Sequence, residues 1–297
     1  MPVTTRRKFF QQTAALGAAA WAAAPLSRLA GAAAAAEAKI TLGLVTYMWG
    51  ADWDIPTILA NCTKTKILGV ELRTQHAHKV EPSMNAQQRS EVRKQFADSP
   101  VTLIGMGTNQ EFHDPDPAKV KAMIEGAKAF VKLSHDVGGS GVKVKPNALP
   151  KGVPVEKTTA QIGTALNELG AFAADYGQQI RLEVHGGASR LPVIKQILDV
   201  ATHPNVGICW NSNKTDLEAP GLEYNFDLVK HRLGATTHVR PFTSPDYPWD
   251  QLMKLFVKAG YRGWWLIEAG TKVDDRVKAL AQQREMFLDL WAKARAA

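Results

Sequence analysis

Past residue 38 the apolar and polar positions of this chain alternate between two periods. Short runs with two-residue alternation, or with a continuous apolar centre, predict strands at 40–46, 67–73, 101–105, 140–145, 179–185, 205–211, 235–240 and 263–268. Longer stretches with apolar residues three and four apart predict helices at 55–64, 85–98, 116–137, 155–177, 190–201, 226–232, 248–259 and 274–294. Ile162, Leu166, Leu169 and Phe172 show the helical spacing. Pro56, Pro117 and Pro248 fall near helix starts, where a missing N–H costs little, and Gly260 stands at a helix stop. Eight strands alternating with eight helices predict parallel β/α units closed into an α/β fold, a (β/α)8 barrel over residues 39–297.

Strand parity adds chemistry to this outline. Fully buried parallel strands usually read as unbroken apolar runs. Here Val70 and Leu72 alternate with Glu71 and Arg73, and Val142 and Val144 with Lys143 and Lys145. Leu182 and Val184 alternate with Arg181, Glu183 and His185, while Thr236, His238 and Arg240 share one side of the seventh strand. The apolar set is expected to face the helices. The polar set then faces the barrel interior, where a charge is costly to desolvate unless it is paired or bound to a metal. In the second and fourth strands two roles stay open: internal ion pairs, such as Glu71 with Arg73 or Lys143, or a polar site in the barrel mouth.

Four strand ends carry residues that bind divalent metals: Glu183 in RLEVH, Asn211 in VGICWN, His238 in TTHVR and Glu268 in WWLIE. In a parallel barrel such ends converge on one mouth, where active sites are built. Two carboxylates, an imidazole and an amide oxygen around one point suit a divalent cation. His185, Lys145, His76 and His78 are candidate substrate contacts around it, joined by Glu71, Arg240 and Lys214. Each has a structural alternative. His185 can orient Glu183, Lys145 can pair with Glu183 or Glu71, and the histidines of RTQHAH can lie in a solvated loop. Trp49, Trp53 and Trp210 are apolar faces suited either to a sugar ring or to the core. The chain has no G-x-S-x-G elbow, no HExxH, no phosphate-cradling G-x-x-x-x-G-K and no dinucleotide fingerprint after a strand.

The first 38 residues differ from the rest. Arg6-Arg7, followed by Phe9 and Phe10 and then by an alanine-rich apolar stretch, resembles an export signal of the twin-arginine type. That implies passage through the twin-arginine export machinery to the periplasm or medium. The stretch is short and Ala-dominated, a poor membrane span. The formal charge is +8, but this leader holds Arg6, Arg7, Lys8 and Arg28 against Glu37, so the remainder carries about +5. Its charges are spread without basic runs, which argues against nucleic acid as a partner. Two cysteines, Cys62 and Cys209, make no disulfide framework and are expected as buried free thiols.

The order and spacing of GVELRTQHAH, LEVHGG, GICWNSNKTD, THVR and WWLIEAG resemble the sugar phosphate isomerase/epimerase family with a xylose isomerase-like TIM barrel. The resemblance spans the whole chain after the leader. It implies one divalent ion held by Glu183, Asn211, His238 and Glu268, with Mn2+ or Mg2+ favoured over Zn2+ or Co2+. Asn211 departs from the aspartate usual there, which removes one negative charge and is expected to weaken the ion's hold. Asn213 and Lys214 stand where the family often has a substrate-contacting histidine. The family chemistry would make Glu183 and Glu268 the proton-transfer pair, one removing a proton beside a carbonyl and the other returning it, while the ion polarises the carbonyl. The expected activity is that of a sugar isomerase or epimerase, acting on a free sugar or glycoside, in a chain able to form homo-oligomers. The alternatives are β-elimination from a 3-keto glycoside, and a non-catalytic sugar-binding barrel. A repair-nuclease reading would need further His and Asp ligands than this single cluster supplies.

Overall fold

The computed structural model describes residues 38–296. The export-signal reading falls on residues 1–38 and lies, but for residue 38, outside the described residues. Eight parallel strands close into a barrel in chain order: β1 Lys39–Val45, β2 Gly69–Arg73, β3 Thr102–Glu111, β4 Gly141–Lys145, β5 Gln179–Glu183, β6 Val206–Asn211, β7 Leu233–Val239 and β8 Arg262–Ile267. β1 closes the ring on β8, with Lys39 opposite Arg262 and Leu44 opposite Ile267. Around it lie α1 Ile55–Thr65, α2 Ala86–Ala97, α3 Pro117–Val137, α4 Val155–Ala174, α5 Leu191–Val200, α6 Leu222–Asp227, α7 Trp249–Lys258 and α8 Arg276–Ala296. The fold is a (β/α)8 TIM barrel, as the alternation of periods predicts.

Local signals fix the helix starts. Asp54 accepts the N–H of Thr57 ahead of Pro56, and Asp116 accepts that of Ala118 ahead of Pro117. Asn85 and Gln88 close a reciprocal capping box at α2. The sixth helix differs from its expected range. It is one short helix at Leu222–Asp227, followed by a 3-10 turn at Lys230–Arg232. Leu222 and Phe226, four apart, bury the apolar face, and Arg232 donates to the carbonyls of Ala201 and Val206. The helix therefore begins and ends earlier than the cluster of apolar residues around Leu228 suggested. β3 is longer than expected. Its register shifts against β2 at Val70/Glu71, and it continues to Glu111 opposite Lys145.

The barrel wall sorts its residues by parity. Val70, Leu72, Val142, Val144, Ile180 and Leu182 are fully buried in the main core between strands and helices. Burying each such side chain contributes roughly 1.5–3 kcal/mol. On the inward face, Val45, Ile104 and Leu266 form a small separate apolar cluster flanked by Trp264. Glu71, Lys143, Arg181, Glu183 and His238 are also buried. Trp264 and Leu266 share parity with Glu268, so β8 leads from this apolar cluster to the mouth. Gly107 of β3 makes room for one of the buried acids: a Cβ there would lie 2.8 Å from Glu71 Oε1. Among the described residues no helix is long and apolar enough to cross a membrane.

Candidate active site

Three of the four predicted ligands converge. Single ligand atoms of Glu183, His238 and Glu268 lie within 4.8 Å of one another, from β5, β7 and the end of β8. His238 Nδ1 is 3.4 Å from Glu183 Oε1 and 3.5 Å from Glu268 Oε2. Its Nε2 donates to Glu71 Oε1 at 3.0 Å. That bond fixes the ring and turns Nδ1 toward the two other carboxylates, as in a carboxylate–histidine–metal arrangement. His238 Nδ1 is buried and has no hydrogen-bond partner among the described residues. Unsatisfied buried polar atoms are uncommon, and an ion is one thing that satisfies them. The residues therefore fit a divalent cation held by Glu183, His238 and Glu268.

Asn211 reaches the same place but meets it differently. Its amide Nδ2 donates to Glu183 Oε1 at 2.9 Å. An amide beside a carboxylate must present its N–H, so the side chain contacts the cluster as a donor to one of its acids. Lys143, on the inward face of β4, adds a charge. Its Nζ is 2.7 Å from Glu183 Oε2, off the direction of a good hydrogen bond, so the attraction is one of charge. Distance governs a Coulomb term far more than angle does, and the ion pair stands.

The charges hold one another ionised. Burial works against the ionised form of Glu183, but Lys143 and His238 overcome it and keep the carboxyl well below its ordinary range. Burial likewise opposes the charge on Glu71, which His238, Lys143 and Arg181 restore. Burial opposes a charged Lys143, and Glu183, Glu268 and Glu71 together hold its proton above the usual lysine value. For His238, burial is outweighed by the adjacent Cys209 side chain and by the carboxylates of Glu268 and Glu71, and the proton is held well above the ordinary imidazole range. Binding an ion at Nδ1 requires that proton to leave.

The expected substrate contacts are distributed around this centre. Glu71 is fully buried beneath it and holds His238; it pairs with neither Arg73 nor an open mouth. Arg73 instead donates to Asn109 and lies over the ring of Tyr47. His185 is half-buried, with Nδ1 3.2 Å from Asn147 Oδ1. The next residue, Gly186, has φ +70°, and a Cβ there would meet the Asn147 carbonyl at 2.3 Å. Lys145 is half-buried, 3.9 Å from Glu111; burial and the charge of Lys143 lower its pKa. Lys214 is exposed, 3.8 Å from Asp246. Arg240 binds Asp246 through Nη1 at 3.3 Å and lies over Tyr247, with Nε and Nη2 buried and unpartnered among the described residues. His78 has both ring nitrogens engaged by backbone: Nδ1 accepts from Val80 N–H, so Nε2 donates to the Arg73 carbonyl. Burial drops its pKa to about 4, so it stays neutral. His76 is half-buried, and burial lowers its pKa as well.

Two features escaped the sequence reading. The Lys143–Glu183 pair was visible only as two inward charges without an assigned partner. The other is a buried acid, Asp216, in the 3-10 turn Lys214–Leu217 after β6. Its Oδ2 accepts from Tyr247 OH at 2.6 Å and from Asn213 N–H at 2.9 Å, tying the loops that follow β6 and β7. No spacing rule connects Asp216 to Tyr247.

The barrel and the cluster at its mouth define a class. The family described as xylose isomerase-like TIM barrel matches residues 59–290, and the chain belongs to it. A comparison with curated proteins finds no match. Among solved structures, an L-ribulose 3-epimerase superposes with TM-score 0.73 at 13% identity, over 86% of this chain and 95% of that one. The 3-keto-D-glucoside 4-epimerase YcjR from E. coli gives TM-score 0.70 at 13% identity, over 85% of this chain and 100% of its own. The IolI protein, solved with a bound zinc atom, gives TM-score 0.70 at 14% identity, over 86% of this chain and 98% of its own. At such identities these likenesses concern the fold.

Proposed function

We propose that this protein is a metal-dependent enzyme of the isomerase/epimerase class, acting on a sugar or sugar derivative by moving a proton next to a carbonyl. The observation that carries this reading is the convergence of Glu183, His238 and Glu268 within 4.8 Å at the mouth of the barrel. The printed activities of two fold neighbours, L-ribulose 3-epimerase and 3-keto-D-glucoside 4-epimerase, agree with it. A divalent ion held by these side chains would polarise the carbonyl and hydroxyl oxygens of a sugar.

The chain's own residues then divide the work unequally. The Glu183 side chain is 1% exposed, with Lys143 on one oxygen and Asn211 on the other. Glu268 is 18% exposed, and its near neighbour is His238. Glu268 is therefore the carboxylate placed to take the proton from a substrate carbon, and Glu71 keeps His238 turned to the same point. One open carboxylate also supports a second reading. A single base suffices to remove a proton beside a ketone and expel the β-substituent of a 3-keto glycoside, whereas inversion at one carbon calls for a base on each face.

Incubation with Mg2+ and a panel of ketoses and 3-keto glycosides in D2O, followed by mass spectrometry, tests both readings. Isomerisation or epimerisation conserves mass apart from deuterium uptake, and elimination releases the aglycone. Glu268→Gln is expected to abolish both. Undiminished turnover in that variant would remove Glu268 from the chemistry. Residues 1–38 belong to the same proposal as a twin-arginine-type signal that delivers the barrel to the periplasm or medium. An unprocessed N-terminus on protein confined to the cytoplasm would contradict it.

A further inference from the structure

Lys143 stands where the reading of Glu183, His238 and Glu268 as an ion site leaves no obvious need for it. It is 3% exposed, on the inward face of β4. Nζ is 2.7 Å from Glu183 Oε2 and donates to the Thr108 carbonyl at 3.3 Å. Thr108 Oγ1 in turn donates to the Lys143 carbonyl at 2.8 Å, so β3 and β4 hold the lysine in place from both ends. Arg181, another buried cation of the barrel, is occupied elsewhere. Its three donor positions face Gln179, the Ile104 carbonyl and Ser140. On the opposite oxygen of Glu183, Asn211 contributes a neutral donor. Glu183 therefore meets an incoming ion with its charge already balanced by a fixed ammonium and its second oxygen already hydrogen-bonded.

We propose that Lys143 is a resident cation of this site, a positioning residue that holds Glu183 by charge and limits how tightly a divalent ion binds beside it. The inference rests on the metal-site reading and deepens it. The ammonium of Lys143 repels a divalent ion that shares Glu183 with it, which opposes tight storage of the metal, so that the ion exchanges readily. The same charge favours a substrate that becomes an anion when its proton is removed.

The test is titration calorimetry of MnCl2 into the metal-stripped full chain, for wild type, Lys143→Met and Lys143→Gln. Methionine removes charge and donor, whereas glutamine keeps a donor without the charge. Both variants are expected to bind Mn2+ at least tenfold more tightly than wild type, to melt at lower temperature without metal, and to regain that loss in saturating Mn2+. A Mn2+ affinity within threefold of wild type, or weaker, in both variants overturns the inference and leaves the metal site standing. Uptake by none of the three proteins overturns the metal site and this inference with it. If neither single variant folds, the double variant Glu183→Gln/Lys143→Met decides. Removing both charges together is expected to restore a cooperative melt, and a double variant that does not fold overturns the pairing.

Discussion

Glu71 and His238, 167 residues apart in the chain, meet at 3.0 Å beneath the barrel mouth, and neither side chain is exposed to solvent. The bond orients the one imidazole of the cluster. Glu71 acts on the cluster through this ring and, by charge, through Lys143, the partner of Glu183.

Replacing Glu71 by Gln is expected to weaken Mn2+ binding by about tenfold or more, the usual range for loss of an outer carboxylate on a ligating histidine. Calorimetry on the metal-stripped protein reads this directly. An unchanged affinity would mean that His238 is oriented by packing alone.

Asn211→Asp places a third carboxylate beside Glu183 Oε1, where an amide N–H now lies at 2.9 Å. Without metal the repulsion is expected to lower the melting temperature by about 3–6 °C. With Mn2+ the same carboxylate becomes an additional ligand, and affinity is expected to rise about tenfold. Melts with and without Mn2+ check both signs. A variant as stable as wild type without metal and no tighter in binding would place residue 211 outside the coordination sphere.

Asp216 is pushed up to about 8 by burial, against the opposing hydrogen bonds from Tyr247 and Asn213 N–H. The unfolded carboxyl titrates near its ordinary value, about 3.9. Between roughly pH 4 and 8 the folded chain therefore holds a proton that the unfolded chain has lost, and stability from this group falls as pH rises through that window. Asp216→Asn stays neutral throughout. Its melting temperature is expected to exceed that of wild type by about 3–8 °C near pH 8.5, with little difference near pH 4. A gap that does not widen with pH would show that Asp216 is ionised in the fold.

Cys62 and Cys209 are free and buried. Burial alone pushes the Cys62 thiol up to about 12, leaving on the order of one thiolate in ten thousand at pH 8. Thiol reagents are expected to label Cys62 more slowly in the native chain than in the unfolded chain, whose thiol titrates at about 8.5, by about a thousandfold or more. Rapid labelling of the native protein would indicate that α1 opens.

Where the chemistry was legible, strand parity made it so. Glu183, His238 and Glu268 each fall on the inward side of an alternating or strand-terminal position, and a closed barrel leaves inward residues at strand ends little choice but to meet. The sequence is silent on which inward charge faces which. β4 and β5 pair Lys143 with Arg181, and Glu183 sits one inward step higher, so the long lysine side chain crosses to an acid that is not its register partner. Glu71 was assigned to the mouth for the same reason. A bulge between β2 and β3 and the room at Gly107 decide its depth, and neither is encoded by spacing. The sixth helix differs from its expected range because Asn225 reaches back to the carbonyls of Asp216 and Glu218 while Arg232, in the turn that follows, reaches that of Val206, contacts that local periodicity does not register.

Gly107 gives the cluster a hidden point of control. Its missing side chain leaves the space in which the Glu71 carboxylate lies, although residue 107 is no member of the Glu183, His238 and Glu268 cluster. A single methyl group added there would barely alter the shape of the strand. It would still swing the acid, turn the ring it holds, and disturb the cluster from behind the wall.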